Sequence, residues 1–284
     1  MAVRVVTDSV ADLPPQVAQE LGITVVPLSV RFGTEVYRDG IDLTTEQFYE
    51  RLKDSRILPV TSVPAPATFA EVYNKLAEET DEILVVALSS KLSGTYAVAR
   101  QSVGLLKREC RVEVLDSQSA VMAQGFITIT AARAAQTGAS LDEVLATARR
   151  NMSRVDFRGA FDTLEYLKRG GRIGKARALL GSMLRVNPII ALRDGEVFPI
   201  GRERSRAKAV DHLYYFAASY ARVEGLAVEY AADVAEAERL IERLKARFPE
   251  EIIYRGRPSP AIGTHTGPGL LVVTVLGDRA KLSG

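Results

Sequence analysis

The stretch that decides the fold class is ILVVALSSKLSGT, residues 83–95. Its first six residues form an unbroken apolar run, which is typical of a central strand covered on both faces. A hydroxyl-rich segment follows, and a helical pattern then runs from Gly94 to about Lys107. A buried strand that leads through a short loop into a helix is the repeating unit of parallel α/β sheets.

The same alternation of strands and helices continues through the first half of the chain. Three further segments are rich in β-branched residues and are predicted to be strands: residues 3–7, 23–30 and 112–115. Helix starts are predicted at Asp12 and at two capping boxes, Thr44 with Gln47 and Ser140 with Glu143. We therefore predict an N-terminal α/β domain with a mostly parallel sheet over residues 1–153.

The second half of the chain has a different pattern. Asp194-Gly195 separates two apolar segments, which predicts a type I′ hairpin and antiparallel pairing. Helices are predicted over residues 207–220 and 233–248, and further strands over residues 226–230, 251–254 and 270–276. We therefore predict a C-terminal α/β domain with a mainly antiparallel sheet over residues 154–284.

Composition excludes several classes of protein. The chain has 284 residues, of which 47% are hydrophobic and 25% charged, so it is neither disordered nor fibrous. A formal net charge of +2 argues against a nucleic-acid partner, which would need a concentrated basic face. No apolar run reaches the length of a membrane span, and Arg4 and Asp8 argue against a signal peptide. The single cysteine, Cys110, cannot form an internal disulfide, so we predict a cytoplasmic protein without stable membrane insertion.

The motifs that the sequence lacks exclude several kinds of site. His212 and His265 are the only histidines, and neither has a metal-ligand spacing. No nucleophile elbow or nucleotide-binding loop occurs, and GGRIGK at residues 170–175 has the wrong spacing for one. We interpret its Gly-Gly pair as the stop of a short helix and His212 as helix packing. No metal or cofactor is predicted.

Hydroxyl groups cluster where the predicted strands end. Residues 7–9, 89–95 and 116–119 each follow a strand, and in a parallel sheet all three would meet at one edge, where ligands bind. Thr61-Ser62 forms a fourth cluster in a Pro-containing loop before a helix predicted at residues 67–78, where it can equally serve as a cap. His265 lies in GTHTGPG, residues 263–269, which is predicted to be a tight, rigid loop.

The loop at residues 89–95 is suited to an anion. It opens a helix, whose first N–H groups lack partners, and Ser93 and Thr95 add hydroxyl donors. Gly94 permits close approach of the backbone. Because Lys91 is the only charge there, a carboxylate fits better than a phosphate. The alternative is that Ser93 only caps the helix.

Six motifs, in order and spacing, resemble the DegV family over residues 3–282. They are TDS with DLP at residues 7–14, TSVP at 61–64, SSKLSGTY at 89–96, DS at 116–117, LKRGGRI at 167–173 and GTHTGPG at 263–269. The resemblance implies two α/β domains with a tunnel between them that holds a long-chain fatty acid such as palmitate or oleate. It also implies a non-catalytic lipid-binding protein that presents the fatty acid to a separate ATP-binding fatty acid kinase subunit.

The resemblance implies roles for particular residues. The carboxylate contacts would come from Thr61, Ser62, Ser93, Gly94, Thr95 and His265. Arg172, Asp8 and Ser117 would support that network, and Arg204 would face the kinase subunit.

Two alternatives stay open at the level of sequence. One is a serine-dependent acyl hydrolase that uses Ser93, His265 and an acid such as Asp8 or Asp116. The other is an independent kinase, which the missing nucleotide loop disfavours.

Overall fold

The computed structural model describes residues 2–180 and 186–279. Its strands are β1 (Arg4–Asp8), β2 (Thr24–Val26), β3 (Ser29–Phe32), β4 (Glu35–Arg38), β5 (Val60–Ser62), β6 (Glu82–Ala87), β7 (Arg111–Asp116), β8 (Val155–Ala160), β9 (Asn187–Arg193), β10 (Glu196–Glu203), β11 (Tyr220–Tyr230), β12 (Ile253–Gly256) and β13 (Leu271–Arg279). Its helices are α1 (Pro15–Glu20), α2 (Thr45–Asp54), α3 (Pro66–Leu76), α4 (Thr95–Ser102), α5 (Val121–Gln136), α6 (Leu141–Met152), α7 (Glu165–Arg169), α8 (Arg206–Ala218), α9 (Val234–Lys245) and α10 (Pro260–Thr266).

The N-terminal half builds a four-stranded parallel sheet in the order β2-β1-β6-β7. As the apolar run predicts, β6 lies inside this sheet, and Ile83, Leu84, Val85 and Val86 have no exposed surface. Both predicted capping boxes are confirmed, at the starts of α2 and α6. The sheet and the helices around it match the predicted parallel α/β class.

The C-terminal half builds a six-stranded sheet in the order β10-β9-β8-β13-β11-β12. Every pairing in it is antiparallel except β11 with β12. The predicted hairpin is confirmed: Asp194 and Gly195 have φ of 52° and 78°, the left-handed pair that a type I′ turn requires. This half therefore has the mainly antiparallel sheet that the sequence predicts.

A small third sheet, in the order β4-β3-β5, was not predicted. The prediction of one strand over residues 23–30 is wrong, because the chain divides there into β2 and β3, which join different sheets. Pro27 lies between them and cannot donate a backbone hydrogen bond to a ladder. Thr61 and Ser62, predicted in a loop, lie on β5 of this small sheet.

Two predicted local roles also need correction. Asp12 does not cap α1, whose N-cap is Pro14; its carboxylate accepts a hydrogen bond of 3.0 Å from the Ser259 N–H instead. His265 does not lie in a loop but in the last turn of α10, which ends at Gly267 with φ of 74°. The segment is tight, as expected, but it is helical.

The helix α5 connects the two large sheets. It packs on β1 and β6 of the parallel sheet and on β8, β11 and β13 of the antiparallel sheet. The parallel sheet ends with β7 at Asp116, and the antiparallel sheet begins with β8 at Val155. The domain boundary at residue 153 lies inside this interval and stays a prediction. The largest apolar cluster draws on both halves, from Val10 to Val272.

Candidate functional site

A cavity of about 100 Å³ lies between the small sheet, α10 and the antiparallel sheet, and most side chains around it are apolar. Most of the wall is aliphatic or aromatic, and the apolar lining includes Leu28, Leu88, Phe157, Phe161, Ile190 and Leu270. The polar side chains in the wall are Thr61, Ser93, Arg172, His265 and Thr266.

Thr61 and His265 meet at this wall. Thr61 lies on β5 opposite the fully buried Val30, so its side chain lies on the inner face of the small sheet. Its Oγ1 atom lies 2.8 Å from Nε2 of His265. Burial and the nearby positive charge of Arg172 lower the pKa of His265 to about 4. The imidazole is therefore neutral at pH 7.

Arg172 brings a positive charge to the same wall. The chain leaves α7 through a Schellman motif, in which the N–H of Gly171 donates to Lys168 O and that of Arg172 to Leu167 O. The guanidinium then donates from Nε to Leu92 O at 3.0 Å and from Nη1 to Gly170 O at 2.6 Å. Within the described residues, no carboxylate forms an ion pair with Arg172.

Ser93 lies beside this cation, one residue after the carbonyl that Arg172 binds. Its Oγ accepts a hydrogen bond of 3.2 Å from the Thr95 N–H and lies 2.9 Å from Thr95 Oγ1. Ser93 therefore stabilises the start of α4 and also lines the cavity. The N-cap of α4 is Gly94, which makes no side-chain hydrogen bond, so the alternative that Ser93 caps this helix is wrong; Ser93 forms a turn just before it.

The other proposed carboxylate contacts are not part of the cavity wall. Thr95 is buried, whereas Ser62 and Gly94 are exposed. Ser62 follows Thr61 on β5 and so points to the opposite face of the small sheet. The loop of Gly94 does approach β5, since a Cβ atom on Gly94 would lie 3.7 Å from the Val63 side chain.

Asp8 and Ser117 hold loops near the site without lining the cavity. The two Asp8 carboxylate oxygens accept hydrogen bonds from the N–H groups of Leu88 at 2.8 Å and Val10 at 3.2 Å. Burial raises the pKa of Asp8 to about 6. Ser117 Oγ accepts from the Ser119 N–H at 3.1 Å. Both therefore fix the strand ends that carry the hydroxyl-rich loops.

Arg204 and His212 lie away from the cavity wall. Arg204 is exposed between β10 and α8. His212 lies on α8 with Nδ1 at 3.2 Å from Glu203 Oε1. Neither residue contributes a side chain to the polar part of the cavity.

The described hydrogen bonds do not form a catalytic triad. His265 Nε2 is directed at Thr61, whereas Ser93 Oγ is directed at Thr95. Asp8 accepts backbone N–H groups and makes no bond to His265. A triad needs a nucleophile–base hydrogen bond and a base–acid hydrogen bond, so this geometry does not favour the acyl hydrolase alternative.

No group of three or more His, Cys, Asp or Glu side chains in residues 2–180 and 186–279 is placed to hold a metal ion. No helix in that part of the chain combines the length and apolarity needed to cross a bilayer.

Sequence reasoning missed most of the cavity wall. The lining residues come from separate strands and helices of both halves, and no local pattern indicates which apolar side chain faces a cavity. The Gly-Gly pair does end a short helix, with Gly170 as the C-cap of α7, and Arg172, for which the resemblance implies a supporting role, lines the cavity directly.

Comparisons with known proteins agree over nearly the whole chain. The family model described as "Uncharacterised protein, DegV family" matches residues 2–278. A DegV domain-containing protein of Streptomyces coelicolor is 38% identical over 278 residues, which cover 96% of this chain and 98% of that protein.

Two solved structures are similar in both fold and sequence. One, described as fatty acid binding of a DegV family protein from Thermus thermophilus, has a TM-score of 0.89 and 34% identity, and the match covers 98% of this chain and 100% of that chain. The other, described as DegV, a fatty acid binding protein from Bacillus subtilis, has a TM-score of 0.89 and 32% identity, with coverage of 97% and 99%. The predicted two-part α/β class agrees with these folds.

Proposed function

Because the chain belongs to the DegV family, we propose that it binds a long-chain fatty acid such as palmitate or oleate in the cavity between its halves. The observation that carries the proposal is Arg172, which lines a mostly apolar cavity and whose guanidinium has no carboxylate partner among the described residues. A ligand with a long apolar body and one negative end would satisfy both features. The solved relatives from Thermus thermophilus and Bacillus subtilis, each described as fatty acid binding, support this choice.

The energies of the two parts of such a ligand are of suitable size. Burial of a 16-carbon chain contributes roughly 0.8 kcal/mol per methylene, or on the order of 10 kcal/mol before the costs of binding. Removing a carboxylate from water costs several kcal/mol unless donors replace its hydration. Each hydrogen bond to a charged acceptor contributes about 1.5–3 kcal/mol, so three or four donors offset that cost.

The donors proposed for the carboxylate are Thr61, Ser93 and Arg172, which all line the cavity, and His265 acts on the carboxylate through its hydrogen bond with Thr61. Gly94 and Thr95 contribute through the loop that carries Ser93, whereas Ser62, the neighbour of Thr61 on β5, points away from the ligand. Asp8 and Ser117 do not contact the ligand in this proposal; they accept backbone hydrogen bonds that fix the loops at the ends of β1 and β7.

In this proposal the protein is a carrier in the cytoplasm and not a catalyst. It holds the acyl chain and presents the carboxylate to a separate ATP-binding kinase subunit. Arg204 is exposed between β10 and α8 and is the proposed contact with that subunit.

The experiment is to purify the protein from cells and record its native mass spectrum. We expect an adduct with the mass of a long-chain fatty acid, and after delipidation we expect a rise in melting temperature on addition of palmitate. Methyl palmitate is the control, because it keeps the chain and removes the charge. An empty protein that neither palmitate nor oleate stabilises would refute the proposal.

A further inference from the structure

The adjacent glycines at 170 and 171 meet different structural needs. Gly171 has φ of 72°, a left-handed conformation that favours glycine, and a Cβ atom there would meet open space. Gly170 has φ of −71° and ψ of −8°, which any L-residue adopts. The need for glycine at position 170 is therefore one of space and not of backbone conformation.

The imidazole of His265 occupies the space beside Gly170. A Cβ atom on Gly170 would lie 2.1 Å from His265 Nδ1 and 2.9 Å from the ring Cε1, which is far inside van der Waals contact. Nδ1 therefore lies directly against the Gly170 backbone. It is buried and has no hydrogen-bond partner among the described residues.

This packing bears on which imidazole nitrogen carries the proton. A neutral imidazole has one N–H group and one unprotonated nitrogen. A proton on Nδ1 would be a buried donor without an acceptor, pressed against the Gly170 backbone. An unprotonated Nδ1 needs less room, and the nearby positive charge of Arg172, which is bound to Gly170 O, disfavours a further proton on the ring.

We propose that Gly170 is a positioning residue, which lets His265 pack with Nε2 as the protonated nitrogen so that Nε2–H donates to Thr61 Oγ1. The Thr61 hydroxyl then keeps its own proton for the ligand. With the opposite tautomer, Thr61 would donate to Nε2 and turn only an oxygen lone pair toward the cavity, where it would repel an anion. The inference rests on the proposed function for the identity of that anion, but not for the tautomer.

The tautomer can be read directly by NMR of protein labelled with ¹⁵N-histidine. His212 and His265 are the only histidines, so a His212→Gln variant assigns both rings. We expect His265 at pH 7 to show a protonated Nε2 and an unprotonated Nδ1 before and after palmitate is added. A His265 ring protonated on Nδ1 would overturn the proposal.

The role of Gly170 is tested by Gly170→Ala, which suits the backbone but displaces the imidazole. We expect altered His265 nitrogen resonances and about tenfold weaker palmitate binding, as for the loss of one hydrogen bond to a charged acceptor. The control is Gly104→Ala, since Gly104 has an ordinary φ and nothing within 4 Å of a Cβ atom. Unchanged resonances and affinity in Gly170→Ala would overturn the role of Gly170.

Further readouts keep the two proposals separate. If Gly170→Ala does not fold, Thr61→Val in the folded protein should shift the Nε2 resonance of His265, and an unshifted resonance would contradict the hydrogen bond that the inference needs. If the wild-type protein binds no palmitate, the proposed function fails, and the tautomer in the same spectrum still decides this inference.

Discussion

The hydroxyl of Thr61 and the imidazole of His265 lie 2.8 Å apart although 204 positions separate them in the chain. Thr61 belongs to the small sheet and His265 to α10, so the bond joins the two halves at the wall of the cavity. The polar part of this wall therefore exists only in the folded chain, and each of its members can be changed singly without removing a strand or a helix.

The first prediction concerns the hydroxyl of Thr61. Thr61→Val keeps the shape of the side chain and removes the proposed donor, so palmitate binding should weaken about tenfold. Ser62→Ala is the matched control, because Ser62 is the next residue on β5 and points away from the cavity. Calorimetric titration measures both. Equal affinities in the two variants would show that the carboxylate is held elsewhere.

The second prediction concerns the charge of Arg172. In Arg172→Met we expect palmitate to bind at least tenfold more weakly, whereas methyl palmitate changes little because it carries no charge. The ratio of the two affinities is the informative quantity. Arg177→Met provides the control, since Arg177 is an exposed arginine on the next turn of the chain. A ratio that stays at the wild-type value would exclude Arg172 as the carboxylate partner.

A third prediction tests whether the cavity holds the acyl chain. Ala120 lines it immediately before α5, and its extended backbone accepts a larger side chain, so Ala120→Phe should place a ring in the space. Binding of palmitate should fall more than binding of octanoate, at a cost of about 1–3 kcal/mol in the free energy of unfolding. Ala97→Phe, on the exposed face of α4, should change neither affinity. Equal loss for both chain lengths would contradict this placement.

The fourth prediction concerns pH. The pKa of His265 is about 4 in the folded protein and about 6.5 when unfolded, so only the unfolded state gains a proton between these values. The contribution of His265 to the free energy of unfolding is therefore complete above pH 6.5. It decreases by about 3 kcal/mol as the pH falls from 6.5 to 4. Asp8 and Asp39, whose pKa burial raises to about 6, have the opposite effect.

The comparison of wild type with His265→Gln isolates the histidine, because the aspartates titrate in both proteins. Urea unfolding at pH 7 and pH 4.5 gives the free energies of unfolding. The wild type should lose more stability than the variant on acidification. Parallel losses in the two proteins would mean that His265 is not held neutral by its surroundings.

The sequence predicts the large elements of this fold because their patterns are local. The apolar run at residues 83–88, the capping boxes at Thr44 and Ser140 and the Asp194-Gly195 turn each act within a few residues, and all are confirmed. Helix α5 gives no such signal, since it is buried on nearly every side and lacks an apolar stripe against a polar face. The small sheet also escaped prediction, because its strands have at most four residues.

The candidate site was predictable only where hydroxyls and glycines mark the chain. The motifs point to Thr61, Ser93, Arg172 and His265, and the structure brings all four to one wall. They do not distinguish Thr61 from Ser62, because which face of a strand is inward depends on what packs against it. Glycine is needed at position 170 because the imidazole of His265, 95 positions later in the chain, occupies the space beside it. The local sequence gives no sign of this contact.

The position of α5 has a consequence for synthesis on the ribosome. Met122, Phe126 and Ile129 pack against Ala227 and Leu276, which are translated about 100 and about 150 positions later. Until those residues emerge from the ribosome, the nascent N-terminal half exposes the apolar side of α5. Exposed apolar surface of this kind binds chaperones and promotes aggregation. Maturation of this protein is therefore most vulnerable during the interval in which β11 and β13 are still being made.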